Sequence, residues 1–110
     1  MTDRFAAVLA RLAATIEARK GADPASSYTA KLLAGGAALA GKKFGEEAVE
    51  TVIAAMQADS EAIAAESADL IYHWLVLLAA TGVGLDAVAA RLEAREGVSG
   101  IAEKAARPKG

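Results

Sequence analysis

Five carboxylates dominate the chemistry open to this chain: Glu46, Glu47 and Glu50 in one group and, after fifteen intervening residues, Glu66 and Asp69 in another. Acids at this density hold hard cations or share protons. There is no cysteine and one histidine, His73, so thiolate nucleophiles, thiolate metal centres and disulfides are excluded. Any metal must be held by oxygen or by that single imidazole. On a helix of about 100° per residue with Glu46 at 0°, Glu50 falls at roughly 40° and Glu47 at roughly 100°. They form one stripe beside an apolar arc of Val49, Val52, Ile53 and Met56, expected to be the buried face. With Glu66 at 0°, Asp69 lies at roughly 300° and His73 at roughly 340°, beside Ile63, Leu70, Trp74 and Leu77.

The two groups also match in height. Glu47 and Glu50 centre about 9.5 residues before Ala58, and Glu66 and Asp69 about 9.5 residues after it, roughly 14 Å from a shared turn at ~1.5 Å per residue. An antiparallel hairpin then brings four or five carboxylates to one place. Two unit charges ~4 Å apart repel by about 4 kcal/mol at an effective dielectric of ~20, so either several acids are protonated or a cation is bound. Oxygen ligands without thiolates favour Mg²⁺ or Mn²⁺, whose shell is commonly completed by water and substrate phosphates. Four negative charges can accommodate one or two such ions, and two would supply both a water of lowered pKa and a clamp on a leaving phosphate. A di-iron bundle would need Glu-x-x-His on paired helices, whereas Glu66 is followed three residues later by Asp69.

The elements that must position these acids are helical. Phe5, Val8, Leu9, Leu12 and Ile16 recur at helical spacing and predict a first helix over 3–20, ended near Gly21 and Pro24. A short helix is expected from Ser26 or Ser27 to Ala34, and a long one from the Gly35-Gly36 break to about Gln57. Asp59 or Ser60 can cap a fourth reaching Thr81, stopped by Gly82 and Gly84, with a short fifth over 85–94. No β-alternation is present, so the fold class is all-α, a bundle of about five helices forming one domain over 1–110. From about Gly97 the tail is expected to be irregular and partly mobile.

Composition agrees. The 110 residues are 55% hydrophobic, enough for one core, but much of that share is alanine, which buries little area per residue. A helical dimer is plausible on that ground. Net charge is −2 and the pI about 5.4, so the overall field does not favour nucleic acid. The span from Lys42 to Asp69 holds two basic and seven acidic residues, a balance of −5, whereas Arg91 to Gly110 holds five basic and three acidic, or +2. The longest apolar run, Leu70 to Ala80, is broken by His73 and is about half of the ~20 residues a span needs. The start carries an early acid and no apolar core of signal-peptide length. A cytoplasmic protein that does not enter a membrane is expected.

Glu46-Glu47-Ala48-Val49-Glu50 followed by Glu66-Ser67-Ala68-Asp69 resembles the Glu-Glu-x-x-Glu and Glu-x-x-Asp signature of the MazG-like all-α nucleoside triphosphate pyrophosphatases, complete at all five acids. Within that superfamily three stretches resemble the phosphoribosyl-ATP pyrophosphatase family of histidine biosynthesis: Ser27 to Leu33, Gly41 to Glu50, and Ala68 to His73. Arg95-Glu96-Gly97-Val98-Ser99-Gly100 with Glu103-Lys104 also fits, so the resemblance covers 26–107. It implies an Mg²⁺-dependent helical dimer that hydrolyses the α–β phosphoanhydride of 1-(5-phosphoribosyl)-ATP to phosphoribosyl-AMP and pyrophosphate.

The resemblance further implies metal at Glu47, Glu50, Glu66 and Asp69, with Glu46 orienting or deprotonating the attacking water. Lys43, at roughly 60° on the wheel, lies within the acid stripe and can meet a phosphate; Lys42 points toward the apolar edge but belongs to the same hallmark. Lys31, Arg95, Lys104 and Ser99 are further candidates for the substrate's phosphates, and Tyr28 for its adenine. His73 shares the face of Glu66 and Asp69. Its first reading is a satisfied packing residue, its second a hydrogen bond that supports Asp69. Two other functions stay open: a house-cleaning nucleotide pyrophosphatase with the same five acids, and a non-catalytic helical interaction module.

Overall fold

The computed structural model describes residues 2–98, 104, 105 and 107 of the chain. Five α-helices follow in order: α1 (Thr2–Ala18), α2 (Tyr28–Ala34), α3 (Gly36–Met56), α4 (Ser60–Thr81) and α5 (Leu85–Glu93). No strand occurs among the described residues. The all-α class and the count of helices are as expected, and each boundary has a local cause. Ser27 caps α2 by accepting a hydrogen bond from the Ala30 amide at 3.2 Å, and Asp59 caps α4 by accepting from that of Ala62 at 3.1 Å. Gly82, at φ 74°, closes α4 in the left-handed conformation. Between α2 and α3 a Cβ on Gly35 would lie 2.7 Å from that of Leu39, so only glycine fits.

α4 is the central helix, in contact with α1, α2 and α3, and its pairing with α3 is the most extensive packing in the fold. The core gathers Leu75, Val76 and Ala79 of α4 with Ile16 of α1, Leu32 of α2 and Ala40 of α3; Leu9, Leu12, Leu39, Trp74 and Leu77 pack around them. By length and composition α4 could cross a membrane; here it is the helix on which three others pack, and it carries Glu66, Asp69 and His73.

α3 does not bury the face its large apolar residues suggest. Its protected positions are Gly36, Leu39, Ala40, Gly41, Lys43, Phe44, Glu47, Ala48, Thr51 and Ala54, of which Ala40 and Ala54 are fully buried. On the wheel of the acid stripe this arc runs from roughly 20° to 220°, away from Val49, Val52, Ile53 and Met56. Those four are 60%, 58%, 50% and 78% exposed. The physical reason is size. Small residues on α3 let its backbone approach α4 closely, and the bulky stripe is turned out of the single chain. The acids thus border buried surface as expected, but from the small-residue side, which takes Glu47 into the α3–α4 seam and leaves Glu46 outside.

Ser99 and Gly100, within the expected tail, lie outside the described residues. Residues 94–97 form successive turns with Gly97 at φ 75°. Lys104 and Ala105 are helical and exposed.

Candidate active site

α3 and α4 are joined by the three residues Gln57, Ala58 and Asp59, with Ala58 at φ 54° making the reversal. Glu47 therefore comes down opposite Glu66 and Asp69. One carboxylate oxygen of each of these three lies within 4.8 Å of the other two. Glu47 and Glu66 are half-buried, whereas Asp69 is exposed, so the cluster opens to solvent on the Asp69 side. Glu50, one turn after Glu47 and exposed, completes the group from the rim: it hydrogen-bonds Glu66 and its charge bears on both seam glutamates.

Electrostatics confirm the crowding. The Glu66 carboxyl is pushed up from 4.5 to about 7, first by a hydrogen bond shared with Glu47, next by one with Glu50, then by burial and the charges of both neighbours. Glu47 is raised as well, mainly by burial, with the charges of Glu50 and Asp69 adding to it; its hydrogen bond with Glu66 works the other way. Both carboxyls are thus held above the usual carboxylate range, because burial and the neighbouring acids disfavour their charged forms. Glu47 Oε2 and Glu66 Oε2 are shut from solvent and meet no protein donor. Buried carboxylate oxygens without a donor need a proton or a cation, since leaving them unpaired is costly. An all-oxygen donor set with this spacing fits a hard divalent ion.

The remaining sequence candidates are dispersed. Glu46 is exposed beside the cluster and pairs with Lys43 across 3.5 Å, a contact weak enough to exchange. Lys42 is exposed one residue earlier, and Lys31 is exposed in the last turn of α2. Arg95 is not at the cluster; it lines a separate cavity with Arg91 and Arg107. Lys104 is exposed in the tail, and Ser99 lies outside the described residues.

Among the described residues His73 is the one buried polar side chain, 6% exposed, and both ring nitrogens are engaged. Nδ1 donates to the main-chain carbonyl of Asp69 at 2.8 Å, which leaves Nε2 as the acceptor for the Tyr28 hydroxyl at 3.3 Å. The bond reaches the backbone of Asp69 and not its carboxylate, so His73 is a satisfied packing residue that ties α2 to α4. Tyr28 is half exposed, edge-on to His73 and near-parallel to Tyr72 with ring centroids 6.4 Å apart. The Tyr72 hydroxyl in turn bonds the Thr29 hydroxyl. Neither Thr29 nor Tyr72 was among the candidate residues read from the sequence. The available signal was that a half-buried phenol needs a polar partner, but a helical wheel cannot show a partner 43 residues away.

The chain was also compared with known proteins. Residues 9–96 match the family model described as phosphoribosyl-ATP pyrophosphohydrolase. A phosphoribosyl-ATP pyrophosphatase of Caulobacter vibrioides is 72% identical over 107 residues, covering 97% of this chain and 99% of the relative. One from Cereibacter sphaeroides is 64% identical over 100 residues, covering 91% and 97%, and one from Ruegeria pomeroyi is 61% identical over 103 residues, covering 94% and 98%. With the family model spanning most of the chain and relatives of this identity matched over nearly their whole length, the chain belongs to the phosphoribosyl-ATP pyrophosphohydrolase family.

Proposed function

We propose that the α3–α4 carboxylate cluster hydrolyses the α–β phosphoanhydride of 1-(5-phosphoribosyl)-ATP, giving 1-(5-phosphoribosyl)-AMP and pyrophosphate in histidine biosynthesis, with Mg²⁺ held by Glu47, Glu50, Glu66 and Asp69. The observation that carries this reading is the pair of solvent-shut oxygens of Glu47 and Glu66 without a donor, within reach of Asp69. Bound there, a divalent ion supplies charge neutralisation for the phosphates and lowers the pKa of a coordinated water.

The chain's own residues supply position and proton transfer. Hydrolysis adds one water across the anhydride: its oxygen forms the new P–O bond, the bridging oxygen leaves with the departing phosphate, and a proton must be taken from the water. Glu46 is assigned that proton, being an exposed carboxylate next to the cluster and outside the seam. Lys43, paired to Glu46 in the free chain, is assigned to a substrate phosphate. A phosphate that draws Lys43 away uncovers the Glu46 carboxylate, so substrate binding and readiness of the base are linked. Lys42 and Lys31 add positive charge on the approach, and Tyr28 offers an exposed ring face to adenine. His73 and Tyr72 hold that ring from behind.

The same reading makes the chain one subunit of a homodimer. Its support is the outward stripe of Val49, Val52, Ile53 and Met56, a contiguous apolar surface of the kind that marks an interface. A reducing cytoplasm is the compartment such a pathway implies.

The test is purified protein with phosphoribosyl-ATP, and separately with a panel of nucleoside triphosphates, each with and without Mg²⁺ while pyrophosphate is followed. Release that requires Mg²⁺ and is fastest with phosphoribosyl-ATP is expected. Folded protein that releases none would overturn the proposal, and equal rates on simple triphosphates would replace it with the house-cleaning function. Glu46→Gln should lower turnover by about two orders of magnitude while retaining metal affinity; full activity in that variant removes Glu46 as the base.

A further inference from the structure

α2 and α4 build an aromatic corner beside the carboxylates. Tyr28, the first residue of α2, stands near-parallel to Tyr72 of α4, at an interplanar angle of 20° with ring centroids 6.4 Å apart, and meets the His73 ring edge-on at 6.2 Å. Tyr72 meets His73 edge-on at 5.0 Å. Each ring is also held by a polar bond: Tyr72 by the Thr29 hydroxyl, His73 by the main-chain carbonyl of Asp69, and Tyr28 by His73. Packing of α2 on α4 accounts for Tyr72 and His73, which the fold covers in part or in whole. It does not account for Tyr28, which is fixed by two ring contacts and a hydrogen bond and is still 54% exposed. A ring held in this way and left half open is a ligand surface with little freedom to lose on binding.

The charge that such a surface prefers follows from its chemistry. An aromatic face attracts cations. The Tyr28 hydroxyl donates its hydrogen to Nε2 of His73, which leaves the phenol oxygen, and through it the ring, richer in electrons. Ordinary adenine is neutral near neutral pH. Adenine substituted at N1 is not, because the N1 lone pair forms the new C–N bond and the N1–C6–N6 amidine keeps a positive charge until its exocyclic nitrogen loses a proton in base. The base of 1-(5-phosphoribosyl)-ATP is of this kind. We propose that Tyr28, fixed by His73 and backed by Tyr72, recognises the positive charge of an N1-substituted adenine, and that this contact separates the proposed substrate from ordinary ATP. The inference rests on the function proposed above and adds the feature of the base that is read. Tyr28 touches the base, whereas His73 and Thr29 are positioning residues that act through the two tyrosines. One imidazole separates the Tyr28 hydroxyl from the backbone of Asp69, a distance that a single nucleotide can span. Asp69 is an exposed acid close to His73 and attracts the same cation, so the decisive variant removes the ring and keeps the acid.

The probes are nucleoside monophosphates: 1-methyl-AMP, whose base is cationic, 1-methyl-IMP, which has the same outline and is neutral, and AMP. None contains an anhydride, so calorimetric titration with Mg²⁺ present reads binding without turnover. Wild type should bind 1-methyl-AMP about threefold to fivefold more tightly than either neutral probe. Tyr28→Leu should bring the affinities together, whereas Tyr28→Phe keeps the ring and most of the preference; circular dichroism verifies that both variants remain helical. No binding of 1-methyl-AMP by wild type, equal affinity for the two methylated probes, or a preference that survives in Tyr28→Leu overturns the proposal, and the last result passes the recognition of charge to Asp69. The two readings fail separately. A preference for the cationic probe in a protein that hydrolyses no phosphoribosyl-ATP overturns the proposed function alone, and hydrolysis without that preference overturns the charge recognition alone.

Discussion

Glu66 titrates near 7 while its ordinary value is 4.5, and that displacement has a measurable consequence for metal binding. At pH 6, one unit below its pKa, Glu66 is about nine-tenths protonated in the metal-free protein, and at pH 8.5 it is almost wholly ionised. A divalent cation binds the ionised form, so Mg²⁺ association should release about one proton per site at pH 6 and almost none at pH 8.5. Apparent affinity should then rise by up to about tenfold per pH unit below 7 and level off above it. Calorimetry in two buffers of different ionisation enthalpy reads the released proton directly, and Glu66→Gln should abolish both the release and most of the affinity. The stability of the metal-free protein must move the opposite way. Because the folded state holds this proton more tightly than the unfolded chain, the contribution is full below pH 4.5, declines as pH rises, and is gone above about 7. Thermal melting without metal should therefore fall across that window, and saturating Mg²⁺ should reverse the trend. Tight Mg²⁺ binding at pH 6 with no proton released would refute the raised pKa of Glu66.

Three further outcomes follow from local geometry. Ala58 holds a left-handed conformation that costs an L-residue about 1 kcal/mol, so Ala58→Gly should raise the urea midpoint despite the greater freedom of glycine in the unfolded chain. His73→Ala removes a buried ring and leaves the Tyr28 hydroxyl without its partner; a loss of about 2–3 kcal/mol in chemical denaturation is expected, and an unchanged midpoint would contradict the tie between α2 and α4. Ile53→Glu places a charge in the outward stripe of α3, and sedimentation should show a monomer of unaltered helicity if that stripe is the homodimer contact.

The helices and their ends were legible because their causes are local. The caps at Ser27 and Asp59, the break at Gly35-Gly36 and the stop at Gly82 each act within a few residues of their position. The meeting of Glu47 with Glu66 and Asp69 was legible too, since equal distances from Ala58 determine which residues face each other in a hairpin. The buried face of α3 was not. Hydrophobicity ranks Val52 and Met56 above Ala40 and Ala54, but the helix packs through the residues that permit the closest approach, and closeness to α4 is a property of both helices.

By itself, then, the order of residues determined the all-helical class, the hairpin that aligns the two acid groups and, through the hallmark stretches, the family. Tertiary structure decided how the acids differ. Glu47 and Glu66 lie in the seam with raised pKa values, Glu50 and Asp69 stand toward solvent, and Glu46 is outside with Lys43. It also decided that His73 holds Tyr28 through its ring and that three arginines from separate turns meet in one cavity. The reason is range. Spacing along a helix fixes direction about its axis, but desolvation, shared protons and contacts between distant segments depend on which other surface arrives against that direction.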